Sequence, residues 1–152
     1  MVTTRKAILE DLPILLDFEQ ELIKAERPFD STFKEGKISY YNIEKMIASD
    51  EVELIVAEEN NEIIASGYAS IFIPKSYFKF SKFAYLGFMY TKPSRRGRGI
   101  NKLVVEALFN WVRSQDIDEV RLDVYDSNYG AIKAYEKVGF QRHLLKMRMT
   151  LE

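Results

Sequence analysis

The chain has 152 residues, a formal net charge of −1, one histidine and no cysteine. This composition excludes disulfides, thiolate metal sites, cysteine nucleophiles and histidine-rich metal sites. The near-neutral charge argues against general affinity for nucleic acid, which needs a basic surface. The length fits one domain, residues 1–152, and the polar N-terminus and short apolar runs predict a cytoplasmic protein without signal peptide or membrane span.

The first third of the chain predicts a strand followed by two helices. Residues 3–9 read as a strand, and the acids and proline at 10–13 are typical of the first turn of a helix. Apolar residues at helical spacing follow, and Pro28 ends this helix or the turn after it. A loop-like stretch at 29–37 precedes a second, short helix at 41–48.

The middle of the chain predicts a hairpin and a buried strand. Residues 52–56 alternate between apolar and polar, and the turn at 59–62 leads into a run of β-forming residues at 63–73. The loop at 74–83 is dense in lysine and aromatic residues. Residues 84–91 are almost wholly apolar, as expected for a strand in the centre of a sheet.

The last third predicts a loop at 94–99, a helix beginning at Ile100, a strand at 119–125, a helix at 129–137 and an alternating strand at 145–151. The predicted order is β-α-α-β-β-β-α-β-α-β. We therefore expect an α+β protein with one mixed, mainly antiparallel central sheet and helices on both faces.

The stretch from Met89 to Asn101 is the most informative for function. A buried strand ends, a loop with two glycines and three arginines follows, and a helix then begins. Helix N-termini present unpaired N–H groups and a partial positive charge, and glycines let the backbone approach a ligand closely. The pattern favours a pyrophosphate cradle, with a plain turn or a solvated cationic face as the alternatives. It lacks the ending of a P-loop, and Lys102 stands where the dinucleotide fingerprint has its third glycine.

Two motifs in this half of the chain resemble the GCN5-related N-acetyltransferase (GNAT) superfamily. The first, Arg/Gln-x-x-Gly-x-Gly/Ala, is matched by Arg96 and Gly99, whereas Asn101 replaces its final small residue. The second is Asn-x-x-Ala-Ile-x-x-Tyr-x-x-x-Gly-Phe. Its positions are filled by Asn128, Ala131, Ile132, Tyr135, Gly139 and Phe140. The resemblance covers residues 85–140 closely and the rest in layout, and it implies the three-layer GNAT fold.

The resemblance implies that acetyl-CoA is the cosubstrate and that no metal is needed. The CoA pyrophosphate would lie on the loop before the helix, and the pantetheine arm would pair with backbone groups of the preceding strand. The implied cofactor-binding residues are Met89, Tyr90, Thr91, Arg96, Gly97, Arg98, Gly99, Ile100, Asn101 and Asn128.

The resemblance also implies that Tyr135 is catalytic and protonates the departing CoA thiolate. Tyrosine has a pKa of about 10, just above a thiol at about 8.5, so the transfer is chemically reasonable. A core tyrosine is the alternative. Some family members use a glutamate on the central strand as general base, but Tyr85 occupies that position here. The base therefore stays open between Glu58 or Glu53 acting through water and no strong base, and we expect His143 to be structural or on the surface.

The acceptor site is implied to use the first helix, the loop after it and the loop before the central strand. Acids there would hold an amine cation, and aromatic rings could stack on it; ordinary packing and surface charge are the alternative. The candidate residues are Phe18, Glu19, Glu26, Arg27, Phe29, Asp30, Tyr77, Phe78 and Phe80.

The expected function is thus direct transfer of an acetyl group from acetyl-CoA to a primary amine of a small molecule or peptide. A non-catalytic acyl-CoA-binding regulatory module is one alternative, and a nucleotide or phosphate binder of another fold is a second. The expected partners are acetyl-CoA and the amine acceptor, with no membrane, no nucleic acid and a homodimer as an option.

Overall fold

A computed structural model describes all 152 residues. The chain forms two compact units, Met1–Leu122 and Asp123–Glu152, which are described in turn. None of the helices combines the length and the apolar character that a membrane span requires.

The first unit consists of five strands and three α-helices. The strands are β1 (Thr3–Lys6), β2 (Val52–Glu59), β3 (Glu62–Phe72), β4 (Phe83–Thr91) and β5 (Val120–Arg121). The helices are α1 (Leu12–Glu26), α2 (Ile43–Ala48) and α3 (Ile100–Ser114). Short 3-10 turns occur at Leu9–Asp11, Arg27–Phe29 and Pro93–Arg95. The strand β1 is shorter than predicted because its expected last residues coil into the turn that opens α1.

All five strands belong to one sheet, in the order β1-β2-β3-β4-β5. The first four pair antiparallel, whereas β4 and β5 pair parallel and are connected through α3. A parallel pair needs such a crossover, because the chain must return to the same end of the sheet. The predicted mixed, mainly antiparallel sheet is confirmed.

Helices cover both faces of this sheet. On β2, Leu54 and Val56 point to one face and pack in a buried cluster with residues of α1 and α2. The members from those helices are Leu15, Phe18 and Ile43. The opposite face lies under α3: a Cβ atom added at Gly67 of β3 would be 2.8 Å from Cγ1 of Val104. Side chains alternate between the faces of a strand, so both sets can be buried at once.

The second unit contains one helix, α4 (Tyr129–Val138). Asn128 caps its start, because the side-chain oxygen accepts the N–H of Ala131 at 3.3 Å. Gly139 ends it with φ of 125°, a conformation that favours glycine. The second predicted motif therefore folds as a capped helix.

Two predicted strands are wrong in whole or in part. The strand expected at 119–125 pairs only at Val120 and Arg121, and the strand expected at 145–151 is absent, since residues 141–152 form no helix or strand. The alternating side chains there are exposed, from 64% for Leu145 to 85% for Met147. Alternation predicts which side chains share a face, but a strand also needs a neighbour for its backbone groups.

Candidate functional site

The strand β4 contains a β-bulge near its middle. Ser66 of β3 pairs with Tyr90 and Tyr68 pairs with Gly87, so two β4 residues, Phe88 and Met89, lie opposite one β3 residue. Phe88 has φ of 53°, a left-handed conformation that is rare for a bulky residue. Bulges bend a strand and increase its twist, and they are frequent beside active sites. The buried hydroxyl of Ser66 donates to the Phe88 carbonyl at 3.1 Å and stabilises the bulge.

Beyond the bulge, β4 has a strand partner on one side only. Its pairing with β5 covers Ala84 and Tyr85, whereas β4 itself continues to Thr91. The backbone groups on the β5 side of the last β4 residues therefore have no strand partner, which is the arrangement by which a sheet edge can pair with an extended ligand. This open edge leads directly into the loop at 94–99.

The loop at 94–99 ends in a run of unpaired amides. Gly97 and Gly99 have φ of 77° and 76°, so both occupy the left-handed region. The N–H groups of residues 97–99 make no hydrogen bond within the chain, in contrast to Arg95 and Arg96, whose N–H groups donate to Lys92 and Pro93 carbonyls. The first N–H groups of α3 follow immediately and have no intrahelical acceptor. Successive free amides at a helix start form a concave anion-binding backbone.

A cavity of about 110 Å³ lies at this backbone. It is lined by Thr91, Arg95, Arg96, Gly97, Gly99, Ile100 and Asn101. Most of the predicted cofactor-binding residues of the first unit are thus brought together around one opening. Met89 and Tyr90 lie just before it on β4, and Tyr90 is 93% buried against Phe18, with ring centroids 4.6 Å apart.

The cations of this region are largely paired with two glutamates from the β2–β3 turn. Arg98 forms a two-pronged pair with Glu59, at 2.7 and 3.1 Å. Arg95 lies 3.0 Å from Glu62 and 3.7 Å from Glu59, and Lys92 lies 2.6 Å from Glu62. Hydrogen bonds from Arg98 and Lys92 hold the pKa values of Glu59 and Glu62, respectively, below their usual range. Both carboxylates are therefore charged at neutral pH.

Arg96 differs from its neighbours in the loop. Its Nε donates to the carbonyl of Thr91 at 3.1 Å, and no carboxylate pairs with it. Arg96 also lines the cavity. Arg96 is therefore the loop cation with free capacity to meet an anion.

Sequence reasoning missed the part played by Glu59 and Glu62, which it read only as a turn. A signal was present: an antiparallel β2–β3–β4 arrangement places the β2–β3 turn beside the end of β4. The register shows this, since Ala65 near the start of β3 pairs with Thr91. Two acids in that turn are close enough to pair with cations in the following loop.

The remaining predicted site residues, Asn128 and Tyr135, belong to the second unit. The side-chain oxygen of Asn128 caps α4, which leaves its NH₂ group as the part that could meet a ligand. Tyr135 is half-buried, and its ring contacts Phe140 edge-on at 5.9 Å. The N–H of Phe140 also donates to the Tyr135 carbonyl at 3.1 Å, so the Gly-Phe end of the motif fixes the last turn beneath the tyrosine.

The two carboxylates considered as general base face away from β4. Glu58 pairs with Arg5 at 3.1 Å, and Glu53 pairs with Lys6 at 3.5 Å. Both partners lie on β1, and β3 separates β2 from β4. These glutamates pair with β1 side chains, and a whole strand separates β2 from the end of β4.

Tyr85, where the family glutamate would stand, is part of a row of tyrosines on the α1 and α2 side of the sheet. The ring centroids of Tyr85 and Tyr68 are 6.5 Å apart, those of Tyr68 and Tyr41 5.7 Å, and those of Tyr41 and Phe88 5.1 Å. Burial raises the pKa of Tyr41 well above its ordinary value, so this hydroxyl stays neutral. The row offers aromatic surface and hydroxyl groups, but no charge, beside the bulge.

Several predicted acceptor residues are buried or hydrogen-bonded within the protein. Phe18 is buried, and Glu19, 1% exposed, accepts the N–H groups of Tyr40 and Tyr41 at 3.0 and 2.8 Å. Arg27 donates to the carbonyl of Lys34 at 2.9 Å and so holds the loop after α1. These side chains shape the region rather than line an opening, and the expectation that they contact an acceptor is wrong for Phe18 and Glu19.

Two other predicted acceptor acids and one aromatic residue lie in the same region. Glu26 is half-buried, and burial raises the pKa of its carboxyl. Asp30 accepts the N–H of Thr32 at 2.9 Å in a local turn, and Phe29 is half-buried beside it. Glu26 is the acid in this group that faces neither an arginine nor a backbone amide.

The aromatic residues Tyr77, Phe78 and Phe80 form a separate cluster before β4. The guanidinium carbon of Arg121 lies 5.1 and 5.2 Å from the ring centres of Phe78 and Phe80, within cation–π range. They precede the first residue of β4, whereas the 94–99 loop follows the last, so the length of a nine-residue strand, about 26 Å, separates them. The structure does not bring this cluster to the cavity.

Solved structures with the same architecture include acetyltransferases. A predicted acetyltransferase from Clostridium acetobutylicum, with acetyl-CoA, is 25% identical, with a TM-score of 0.73 over 99% of this chain and 96% of that one. A mutant of the BH1408 protein from Bacillus halodurans gives 0.87 at 20% identity over 99% of both chains. A GCN5-related N-acetyltransferase from Ralstonia eutropha JMP134 gives 0.74 at 15% identity, again over 99% of both. The last two likenesses establish the fold alone.

The sequence itself carries the family assignment. Comparison with curated proteins gives no significant match. The acetyltransferase (GNAT) family, however, matches residues 17–140, which include most of α1, the whole sheet from β2 onward, the 94–99 loop and α4. With this match and the three-layer fold in agreement, the chain belongs to the GNAT acetyltransferase family.

Proposed function

We propose that this acetyltransferase moves the acetyl group of acetyl-CoA directly to a primary amine of a small molecule or peptide. The observation that carries the proposal is the run of unpaired amides at 97–99, which opens on a cavity at the unpartnered end of β4. Members of the family use acetyl-CoA, and its pyrophosphate and pantetheine arm match an anion cradle next to an open strand edge.

In this proposal the pyrophosphate binds the N–H groups of residues 97–101, and the pantetheine arm pairs with the backbone of Met89 to Thr91. Arg96 adds a charged contact, and Ile100 anchors the start of α3, since it is 2% exposed. Asn128 contributes its amide NH₂ group. The two units then act together as one acyltransferase domain, which the family match across both of them supports.

The chemistry needs one nucleophile and one proton donor. The amine nitrogen attacks the carbonyl carbon of the acetyl group, a tetrahedral intermediate forms, and the carbon–sulfur bond then breaks. The hydroxyl of Tyr135 donates its proton to the departing thiolate, a step that typically contributes roughly 10²–10⁴-fold. The attacking nitrogen releases one proton to solvent, and a proton from solvent restores the tyrosine hydroxyl. The ring contact with Phe140 supports the role by restricting the tyrosine.

A strong general base is not part of the proposal. Glu53 and Glu58 are paired with β1, and Tyr85 stands at the position of the family glutamate. The reacting species is then the neutral amine already present in solution. We expect kcat/KM to rise with pH toward the pKa of the acceptor amine, which is about 10.4 for a lysine-like group.

A non-catalytic acyl-CoA-binding module is the second candidate, and the missing strand carboxylate favours it. The two are separated by measuring free thiol released from acetyl-CoA with panels of polyamines, amino acids and peptides. Acceptor-dependent release supports the enzyme. Tight acetyl-CoA binding without release for any acceptor would favour the module.

The location of the cofactor is tested separately with Gly99→Pro. Proline removes a donor and fixes φ near −65°, whereas Gly99 needs 76°. We expect acetyl-CoA binding to be lost by calorimetry. Gly36→Pro is the matched control, because Gly36 has a similar φ of 81° in the loop after α1. Unchanged binding in the Gly99 variant would place the cradle elsewhere.

A further inference from the structure

The ion pair between Glu59 and Arg98 fixes the orientation of the Arg98 side chain in the 94–99 loop. Both terminal nitrogens of Arg98 are used: Nη2 donates to Oε1 at 2.7 Å and Nη1 to Oε2 at 3.1 Å. Glu59 is the last residue of β2, and its side chain is only 14% exposed. A two-pronged geometry of this kind fixes the guanidinium plane as well as its distance. The contact therefore joins the hairpin to the loop between the two left-handed glycines.

This geometry has a consequence for any anion held by the loop amides. Arg98 is not among the residues that line the cavity, and turning its guanidinium toward a phosphate there would break the two-pronged pair and leave Glu59 with only the 3.7 Å contact to Arg95 near a second anion. Like charges at short range repel strongly where water is partly excluded. Arg96, by contrast, uses one nitrogen on a carbonyl and has no acid to leave.

We propose that Glu59 is a positioning residue of the pyrophosphate site: it holds Arg98 away from the phosphates and balances its charge, so that the loop amides and Arg96 bind the anion. The role rests on the proposed function, since it concerns the same cradle. Arg98 still matters for binding, but by neutralising Glu59 rather than by touching the ligand.

The arrangement favours selective over general anion binding. Lys92, Arg95 and Arg98 are paired with two carboxylates, which balance two of these three positive charges and weaken the attraction of polyanions at a distance. Affinity then depends on how well a ligand fits the amides and the β4 edge. A loop with free arginines would instead bind inorganic pyrophosphate and nucleotides more readily, and with a stronger dependence on ionic strength.

The test compares four proteins: the parent, Glu59→Gln, Arg98→Gln and the double variant. Acetyl-CoA and inorganic pyrophosphate are titrated by calorimetry at two ionic strengths, and thermal midpoints are recorded. Arg98→Gln should weaken acetyl-CoA binding about five- to tenfold, because Glu59 then keeps only the longer contact with Arg95 and repels the phosphates. The double variant should return to within about threefold of the parent. Glu59→Gln should bind pyrophosphate more tightly at low salt.

Glu44→Gln, an exposed acid on α2, is the control for losing one negative charge and should change neither affinity. If acetyl-CoA binding is weakened equally in Arg98→Gln and in the double variant, Arg98 contacts the phosphates itself. That result would overturn the role of Glu59 and leave the proposed function standing. No weakening in either would overturn it as well. A parent that does not bind acetyl-CoA would overturn the proposed function, and this role with it. If a glutamine variant is unfolded, Arg98→Met with and without Glu59→Met repeats the comparison.

Discussion

Arg5 of β1 and Asp11 form a two-pronged ion pair, with Nη1–Oδ2 at 2.7 Å and Nη2–Oδ1 at 3.0 Å. Asp11 is 6% exposed and also accepts the N–H of Ile8 at 2.8 Å. The hydrogen bond from Arg5 holds the pKa of this carboxyl below its ordinary value, although burial acts in the opposite direction. The pair fixes the path of the chain from the first strand into α1.

Replacing Asp11 should remove an acid-sensitive part of the stability. Because its pKa is lower in the folded than in the unfolded chain, where it is about 3.9, the carboxylate stabilises the fold above that pH. The contribution is lost as the pH falls through the folded pKa. Asp11→Asn should lower the free energy of unfolding by about 1–3 kcal/mol at pH 7. Between about pH 4 and pH 2, the free energy of unfolding of the variant should fall less than that of the parent. Urea unfolding measures both, with exposed Asp17→Asn as control; an unchanged acid slope would contradict the assignment.

Gly87→Ala should destabilise the protein through one contact. A Cβ atom at Gly87 would lie 2.3 Å from Cε1 of Tyr68, directly across on β3. We expect a loss of about 1–3 kcal/mol, the usual cost of overpacking. The cost should vanish in a Tyr68→Ala background, because the ring is then gone. Gly130→Ala in α4, with nothing within 4 Å, should instead stabilise slightly. Equal losses for Gly87→Ala in both backgrounds would mean that the ring is not the cause.

Arg96→Ala should weaken acetyl-CoA binding more at low salt than at high salt. Arg96 lies at the cavity and has no carboxylate partner, so its charge is available to the ligand. We expect a loss of about 1–2 kcal/mol, or roughly five- to thirtyfold, at low ionic strength. Calorimetry at two salt concentrations measures it, and Arg113→Ala at the far end of α3 is the matched control. A loss that is the same at both concentrations would argue against a charge contact.

Tyr135→Phe should separate catalysis from binding. Phenylalanine keeps the edge-on contact with Phe140, so the thermal midpoint and the acetyl-CoA affinity should stay near the parent values. The kcat should fall by roughly 10²–10⁴-fold if the hydroxyl protonates the thiolate. Tyr129→Phe, 74% exposed on the same helix, provides the control. A near-normal kcat would remove the acid role, and a collapsed midpoint would identify Tyr135 as a core residue.

Local sequence signals predicted the elements of the first unit well because each signal acts over a few residues. The alternation at 52–56, the apolar run of β4 and the glycines at 97 and 99 report backbone requirements that neighbours hardly alter. The strand at 145–151 failed for the opposite reason. Its pattern was equally clear, but pairing depends on residues far away in the chain.

The candidate site was predictable as a backbone feature and less so as a set of side chains. Its glycines and helix start follow from the motif at 96–101. The partners of its cations do not, because the sequence separates Glu59 from Arg98 by the whole of β3 and β4. Phe18 and Glu19 failed as acceptor residues since periodicity cannot distinguish an acid that faces a ligand from one that binds backbone amides inside the protein.

The bulge also reverses the facing of every β4 residue that follows it. Gly87 meets Tyr68 on the α1 and α2 side of the sheet, and Phe88, the next residue, belongs to the buried cluster on that same side. If the same residues alternated regularly from Gly87 onward, Tyr90 would point toward α3 and Met89 toward α1. Without a bulge, the same sequence would therefore present the second half of β4 to the opposite faces of the sheet, and Tyr90 would leave the cluster that contains Phe18. The left-handed conformation of Phe88 thus determines which face of the sheet each later β4 residue occupies. The position of the 94–99 loop, which follows β4, depends on it.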